Sequence, residues 1–355
     1  MQGIVQIQAP LPHIRSVNMW LLRGSPLTLI DTGPYSPAAL DALEAGLRGE
    51  GLRVEDIELV IPTHHHLDHS GLAATIAARS GARVAALDRT AEYGARYVDR
   101  SAADRSFSRE LMRHHGVPES VIEANEGFWD FIRDTSAPFE TDVVLCDGDV
   151  IAAGGRDLRV LARPGHSTTD TLFVDEQSGT AFVGDHLLAG ISSNAEIVPV
   201  AEPTGSRPRA RIEYLANLKR TASMPLELLL TGHGDPVRDH VGLVRRRFSE
   251  HHRRCRRILD VLDQGSAQAY GIAGHLWSAR TVSEQPLLVV WEVLGHLDLL
   301  LDDGKVSEQK IDDGSRYGKA WFSLPEQSPA HQDPNGGLRE TSILYPGGNR
   351  SAEFE

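Results

Sequence analysis

From residue 63 the chain reads Thr63-His64-His65-His66-Leu67-Asp68-His69-Ser70-Gly71, and this stretch constrains the fold more than any other feature of the sequence. Four side chains of metal-ligating type, His64, His66, Asp68 and His69, fall within it. His64 and His66 are two apart, so on extended backbone they project to one side and can share an ion, while Asp68 and His69 open the turn that follows. A β-branched run, Ile57-Glu58-Leu59-Val60-Ile61, comes before the cluster and a helical pattern over about 70–80 comes after it. The ligand types therefore sit on a strand-to-helix connection. A solvated polar turn is the bland alternative, and it leaves their density unexplained.

Three later residues have the same character, each at the end of a predicted strand. They are His166 in Arg163-Pro164-Gly165-His166-Ser167, Asp185 in Phe182-Val183-Gly184-Asp185-His186, and His233 in Leu230-Thr231-Gly232-His233-Gly234-Asp235. Strand ends in layered α/β folds converge along one edge, so residues far apart in sequence can meet there. Together with the first cluster they make two half-sites, and a carboxylate such as Asp185 can bridge two metals.

The rest of the chain supplies a matching scaffold. Strands are predicted at 4–8 and 18–31, a helix at about 37–49, strands at 57–61 and 83–87, and further short strands at 143–146, 158–162, 171–174, 180–183 and 226–230. Residues 90–135 interrupt this rhythm with a mainly helical insertion, a candidate lid whose Tyr93, Tyr97, Phe128 and Trp129 are candidate substrate contacts. Over 241–322 the texture changes to helices near 240–263, 268–278 and 285–301, the last amphipathic through Leu287, Trp291, Leu294 and Leu301, followed by two strands around Asp312-Asp313-Gly314. Three helices and a hairpin resemble a winged-helix domain. The Pro- and Gly-rich tail at 323–355 is expected to be flexible.

With these motifs placed, residues 1–240 resemble the metallo-β-lactamase-fold hydrolase superfamily, whose pattern is His-x-His-x-Asp-His, then Gly-His, Gly-Asp and a final Gly-His. The resemblance implies an α/β (α+β) chain folded as a four-layer αββα sandwich, with the site on one edge. It assigns His64, His66 and His166 to a first metal, Asp68, His69 and His233 to a second, and Asp185 to a bridge between them. Asp rather than Cys at 185 is similar to the glyoxalase II, lactonase and phosphodiesterase branches. Iron persulfide dioxygenases share much of the pattern with a mononuclear site. Asp31 resembles the family's Asp-Thr-Gly and either orients a ligand histidine from behind or is a plain turn residue. His65 and His186 flank ligands and are read as structural, pointing away by strand alternation.

Composition narrows the alternatives. At 355 residues the chain holds about two domains. Thirty-six Lys and Arg against 49 Asp and Glu give −13, which disfavours wholesale binding to phosphate backbones or anionic membranes unless a local basic patch intervenes. Cys146 and Cys255 lie far apart without ligand spacing, so they are expected to be free thiols, and the absence of a signal-peptide pattern points to the cytoplasm.

The chemistry expected of such a site is hydrolysis by a hydroxide held between two divalent ions, Zn first, with Mn, Fe or Co possible. Asp68 orients that nucleophile and shuttles its proton. The aromatic insertion favours an ester, thioester or lactone carbonyl on a small-molecule or carrier-bound acyl group. The C-terminal segment does not match the glutathione-binding helical domain of glyoxalase II. The runner-up is a metal-dependent endoribonuclease or phosphodiesterase, because residues 245–257 carry seven Arg against one Glu beside a winged-helix-like module; a solvated helix face is the plainer account. A non-catalytic sensor is a third class, disfavoured by the complete ligand set.

Overall fold

The computed structural model describes residues 3–11, 15–199, 207–311 and 318–325. It divides into two compact units: residues 1–105, 126–196 and 217–244 form the first, and 106–125, 197–216 and 245–355 the second. This partition differs from a single cut at residue 240, because the middle of the helical insertion and the segment before residue 217 group with the second unit.

The first unit is built on two sheets. The six-stranded one runs β1 (Ile4–Leu11), β2 (Arg15–Leu22), β3 (Thr28–Ile30), β4 (Leu59–Ile61), β5 (Arg83–Leu87) and β6 (Val143–Leu145) in sequence order, antiparallel as far as β3 and parallel from there. The strand expected over 18–31 is two strands, since Gly24-Ser25-Pro26 turns the chain between them and Pro26 has no N–H to offer a ladder. The five-stranded sheet comprises β7 (Val150–Ala153), β8 (Arg156–Ala162), β9 (Thr171–Asp175), β10 (Thr180–Gly184) and β11 (Leu228–Thr231), in the order β11-β10-β9-β8-β7. Only the β10–β11 pair is parallel. The edge strand β7 and the helix Ala210–Ala222 were not expected from the sequence.

Period-two alternation on the first sheet feeds two cores. Val17, Met19, Leu21, Leu29 and Val60 face Leu43 and Leu47 of the helix Pro37–Gly49 and Ile76 of the helix Ala73–Ser80. Their neighbours Trp20, Leu22, Ile30, Leu59 and Ile61 point the other way, onto Leu158, Val160, Phe173, Phe182, Leu228 and Leu230 of the second sheet. Strands buried on both faces need continuous apolar runs, which is how β3, β4, β10 and β11 read. The result is the mixed, layered α/β architecture expected from the sequence. Among the described residues no helix is long and apolar enough to cross a membrane.

In the second unit the helices His240–Leu262 (from residue 245), Ala269–Leu276, Ala279–Glu284 and Pro286–Asp302 precede an antiparallel hairpin of β12 (Ser307–Ile311) and β13 (Lys319–Ser323). The expected turn at 312–314 and the tail beyond 325 lie outside the described residues. The helix Pro286–Asp302 is buried around most of its circumference rather than along one stripe, so it is a central helix and not an amphipathic one. Arg207 pairs with Asp298, Arg211 with Glu292, and His251 Nδ1 meets His296 Nε2 at 3.0 Å, which gives the polar Asp298, Glu292 and His296 of this helix partners. Cys255 is buried and Cys146 exposed, both free.

Candidate metal centre

Every group singled out as a ligand lies at the C-terminal end of a strand of the first unit. The connection after β4 carries His64 and His66, and its first helical turn, Leu67–Ser70, carries Asp68 and His69. His166 follows β8, Asp185 follows β10 and His233 follows β11. The seven side chains converge. His66 Nδ1 stands 3.1 Å from His64 Nε2 and 3.1 Å from His166 Nε2. Beside them, Asp68 Oδ2 lies 3.1 Å from His233 Nε2 and 3.6 Å from His69 Nε2. Asp185 sits between the two groups, with Oδ1 at 3.5 Å from His69 Nε2 and Oδ2 at 3.3 Å from His233 Nε2 and 3.7 Å from His166 Nε2.

The outer face of each imidazole fixes where its proton is. The carbonyl of Asn194 faces His166 Nδ1 at 3.0 Å and the carbonyl of Ser16 faces His233 Nδ1 at 2.7 Å; a carbonyl only accepts, so both Nδ1 atoms carry hydrogen. Asp31 Oδ2 accepts from His69 Nδ1 at 2.8 Å, and from the Thr63 hydroxyl at 3.0 Å, which leaves that hydroxyl's oxygen to accept from His64 Nδ1 at 3.1 Å. The Glu196 carboxylate stands 3.5 Å from His66 Nε2. In the neutral tautomers that these acceptors select, nitrogen lone pairs face one another, and face carboxylates, at 3.1–3.7 Å. Such a set repels itself unless cations lie among the atoms, and about 3.3 Å is the edge of a tetrahedron built on zinc–nitrogen bonds of roughly 2.0–2.1 Å. His69 Nε2, His233 Nε2 and Asp185 Oδ1 are buried with no hydrogen-bond partner. The donors fit metal binding.

The charge balance agrees. Burial works against charging His69, yet the carboxylates of Asp68, Asp31 and Asp185 hold its imidazole up at about 9. Burial likewise opposes the charge of His233, and Asp185 and Asp68 push it to about 11. Burial would raise Asp68, but His69 and His233 keep it down at about 2, and the same two imidazoles lower Asp185. Burial and four neighbouring imidazoles lower His64. Negative charge concentrated on Asp31, Asp68 and Asp185 thus draws protons to the second set, where metal ions take the same place.

Small residues make the convergence possible. A Cβ on Gly232 would fall 2.3 Å from Asp185 Oδ1 and 2.5 Å from His69 Cε1, and Gly184, at φ +47°, abuts Thr63 Oγ1. Asn18 of β2 fixes the turn carrying His233: its backbone N–H bonds Gly232 O at 2.7 Å, and its Nδ2 bonds Thr231 O and Gly234 O at 2.9 Å each. Asp170 shapes the turn carrying His166 by accepting from Ser167 N at 3.0 Å and Ser167 Oγ at 2.7 Å. Neither of these, nor Thr63 and Glu196, stands in a pattern the sequence alone would flag.

Other expected residues fall elsewhere. His65 turns away, bonding Thr169 Oγ1 at 2.8 Å, and His186 bonds Thr221 Oγ1 at 2.9 Å. Tyr93 packs its ring on His65, centroids 3.8 Å apart, and gives its hydroxyl to Asp104 at 2.7 Å, so it buttresses the cluster from behind. Tyr97 Oη reaches Ile132 O at 3.4 Å. Phe128 and Trp129 stack edge to face on the helix Glu126–Asp134, with Phe128 exposed.

Comparison with known proteins follows the same lines. The model of the metallo-beta-lactamase superfamily matches residues 14–233. The probable metallo-hydrolase YqjP of Bacillus subtilis is 29% identical over 308 residues, 84% of this chain and 92% of that protein. The acyl-coenzyme A thioesterase MBLAC2 of Homo sapiens is 30% identical over 184 residues, 49% of this chain and 59% of that protein. A metallo-beta-lactamase family protein from Thermus thermophilus has a crystal structure that superposes with a TM-score of 0.76 at 27% identity, covering 92% of this chain and 99% of that one.

Proposed function

Since the chain belongs to the metallo-β-lactamase superfamily and is a metal-dependent hydrolase of it, we propose that it uses two divalent ions, zinc foremost, to hydrolyse an acyl thioester or a related ester or lactone. The observation that carries this reading is the inward convergence of imidazole nitrogens whose outer nitrogens face acceptors, with Asp185 between two triads. His64, His66 and His166 would hold one ion and Asp68, His69 and His233 the other, with Asp185 placed between the two groups.

When bound, such ions supply a hydroxide at neutral pH and polarise a carbonyl oxygen. The chain's own residues do the rest. Asp68, ionised throughout the neutral range, has a carboxylate to orient the attacking water and take its proton. Asp31, Thr63, Glu196 and the carbonyls of Ser16 and Asn194 keep the imidazoles aimed inward, so no reorientation is needed as charge develops. The acyl preference draws on the thioesterase among the relatives.

Elemental analysis of the wild type and His233→Ala, with parallel assays on thioesters, lactones, a phosphodiester and short RNA, tests the proposal. About two ions per wild-type chain, falling towards one in the variant together with loss of acyl hydrolysis, is the expected result. A single iron with oxygen consumption on a persulfide, or cleavage confined to RNA, would overturn it.

A further inference from the structure

An apolar pocket of about 360 Å³ opens on the first unit between Pro10, Leu11, Pro34, Ala38 and Phe131, with Ser36 and Thr135 at its margin. That volume is in the range of small-molecule sites, roughly 300–1,000 Å³. Its position ties it to the metal centre. On one wall, Pro10 pairs across the β1–β2 ladder with Ser16, whose carbonyl fixes His233. On the other, Pro34 closes the segment that leaves β3 through Asp31, and Thr32 N bonds the carbonyl of His69 at 2.9 Å. Because β1 and β3 both run antiparallel to β2, Pro10, Leu11 and Pro34 lie at the same edge of the sheet as the donor groups.

The lining also states what it can hold. No charged side chain contributes to it. Its two hydroxyls are occupied locally: Ser36 Oγ caps the helix Pro37–Gly49 by accepting from Ala39 N at 3.2 Å, and Thr135 Oγ1 donates to Phe131 O at 2.6 Å. A polar or anionic ligand group would meet no charge there and only the remaining donor of Ser36 Oγ and acceptor face of Thr135 Oγ1 at the margin, while hydrocarbon would cover proline, leucine and phenylalanine surface. Tyr35 N bonds Thr135 O at 2.8 Å, which pins the end of the insertion against this segment and keeps the pocket formed.

We propose that this pocket is the acyl-chain subsite of the metal centre, selecting substrates by the length of an unbranched hydrocarbon chain whose carbonyl lies at the ions. The proposal rests on the acyl-hydrolase reading above. Phe131, Leu11, Pro10 and Pro34 are its specificity-determining residues.

The test uses the metal-loaded enzyme with the coenzyme A thioesters of acetate, butyrate, octanoate and palmitate, and separately a calorimetric titration with octanoate. In the wild type kcat/KM rises with chain length by up to about fourfold per methylene buried until the pocket is full. Ala38→Trp, which fills the pocket mouth, lowers the octanoyl-to-acetyl ratio of kcat/KM at least about tenfold and abolishes octanoate binding. Phe131→Ala, which lengthens the cavity, moves the optimum to longer chains, a readout of opposite sign that stands even if the tryptophan variant does not fold. A ratio and an octanoate affinity unchanged in both variants would overturn the subsite. If no thioester of any length is cleaved, the acyl-hydrolase reading fails, and the octanoate titration alone then decides the pocket: binding lost in Ala38→Trp supports it, binding absent from the wild type refutes it.

Discussion

Asp31 holds a left-handed backbone, φ +59°, while its two oxygens accept from Thr63 N at 2.7 Å, Thr63 Oγ1 at 3.0 Å and His69 Nδ1 at 2.8 Å. Non-glycine residues adopt that conformation only where the surroundings over-determine it. Through Thr63 the same carboxylate reaches His64, so one buried side chain orients a member of each triad. Asp31→Asn is the informative change. An amide keeps the shape but can turn only one acceptor towards two donors, so it either opposes His69 Nδ1–H or abandons Thr63. Metal affinity measured by chelator competition should fall about 10- to 100-fold with the circular dichroism spectrum intact; unchanged affinity would make Asp31 a turn residue. The sequence leaves these two roles open for Asp31, and geometry chooses between them. The donors themselves were legible, because ligand chemistry restricts residue type and spacing so tightly that His64, His66, Asp68 and His69 stand out before any fold is known. Thr63, Asn18 and Glu196 were not, because support behind an imidazole can come from any acceptor, including a backbone carbonyl with no side-chain signature, and a turn can be held, as Asn18 holds the one carrying His233, through backbone carbonyls alone.

At the level of elements, strand ends do the positioning. Periodicity located β4, β5, β8, β9, β10 and β11, since strands buried on both faces leave apolar runs bounded by Gly or polar turns. It failed at β7, a four-residue edge strand with Val150 exposed, and at Gly24–Pro26, where one run hid two strands. The Arg-rich stretch likewise resolves only in three dimensions: Arg247 is buried against Glu250, Arg254 lies 4.5 Å over the Trp277 ring and Arg257 bonds Leu276 O at 3.1 Å, so part of its charge is committed to structure. The strand β2 offers the clearest element-level test. Asn18→Ala loosens the turn after β11 and strands the carbonyl of Gly234, while Thr231 O keeps Trp20 Nε1 at 3.2 Å, so stability should drop by about 1–3 kcal/mol in urea titration. If two ions bind as proposed, the one that His233 would hold should be lost more readily than its neighbour; equal loss of both, or none, would show that β2 does not set that turn.

On the scale of the whole chain, buried neutral imidazoles set the response to acid. Burial lowers His65 and His186 to about 3 and His296 to about 4, and it depresses His115 and His251 as well. In the unfolded chain each titrates near roughly 6.5. Because the unfolded state takes up these protons first, the stability they allow is complete above that pH and is lost as pH falls towards the native values, by about 1.4 kcal/mol per pH unit per group. His69 and His233, already protonated in the metal-free native state, add stability as the unfolded chain titrates. Asp104, held up at about 6 mainly by burial, and Asp170 and Asp298, also raised by burial, bind protons lower in the window; against the larger number of depressed imidazoles these groups offset only part of the loss. The urea midpoint of chelator-treated protein should therefore fall between pH 7 and pH 5, and an unchanged midpoint would refute this balance.

The seven donors span both sheets, from His64 just after β4 to His233 just after β11. During synthesis the His64–His69 segment leaves the ribosome long before the last strand exists. Until β11 lies beside β10 the cradle has one open side, and any ion it meets is held by a floppy partial set of ligands. Completion of the second sheet works as a clasp: its final strand carries in the last imidazole, so the donor set is whole only once the first unit has closed.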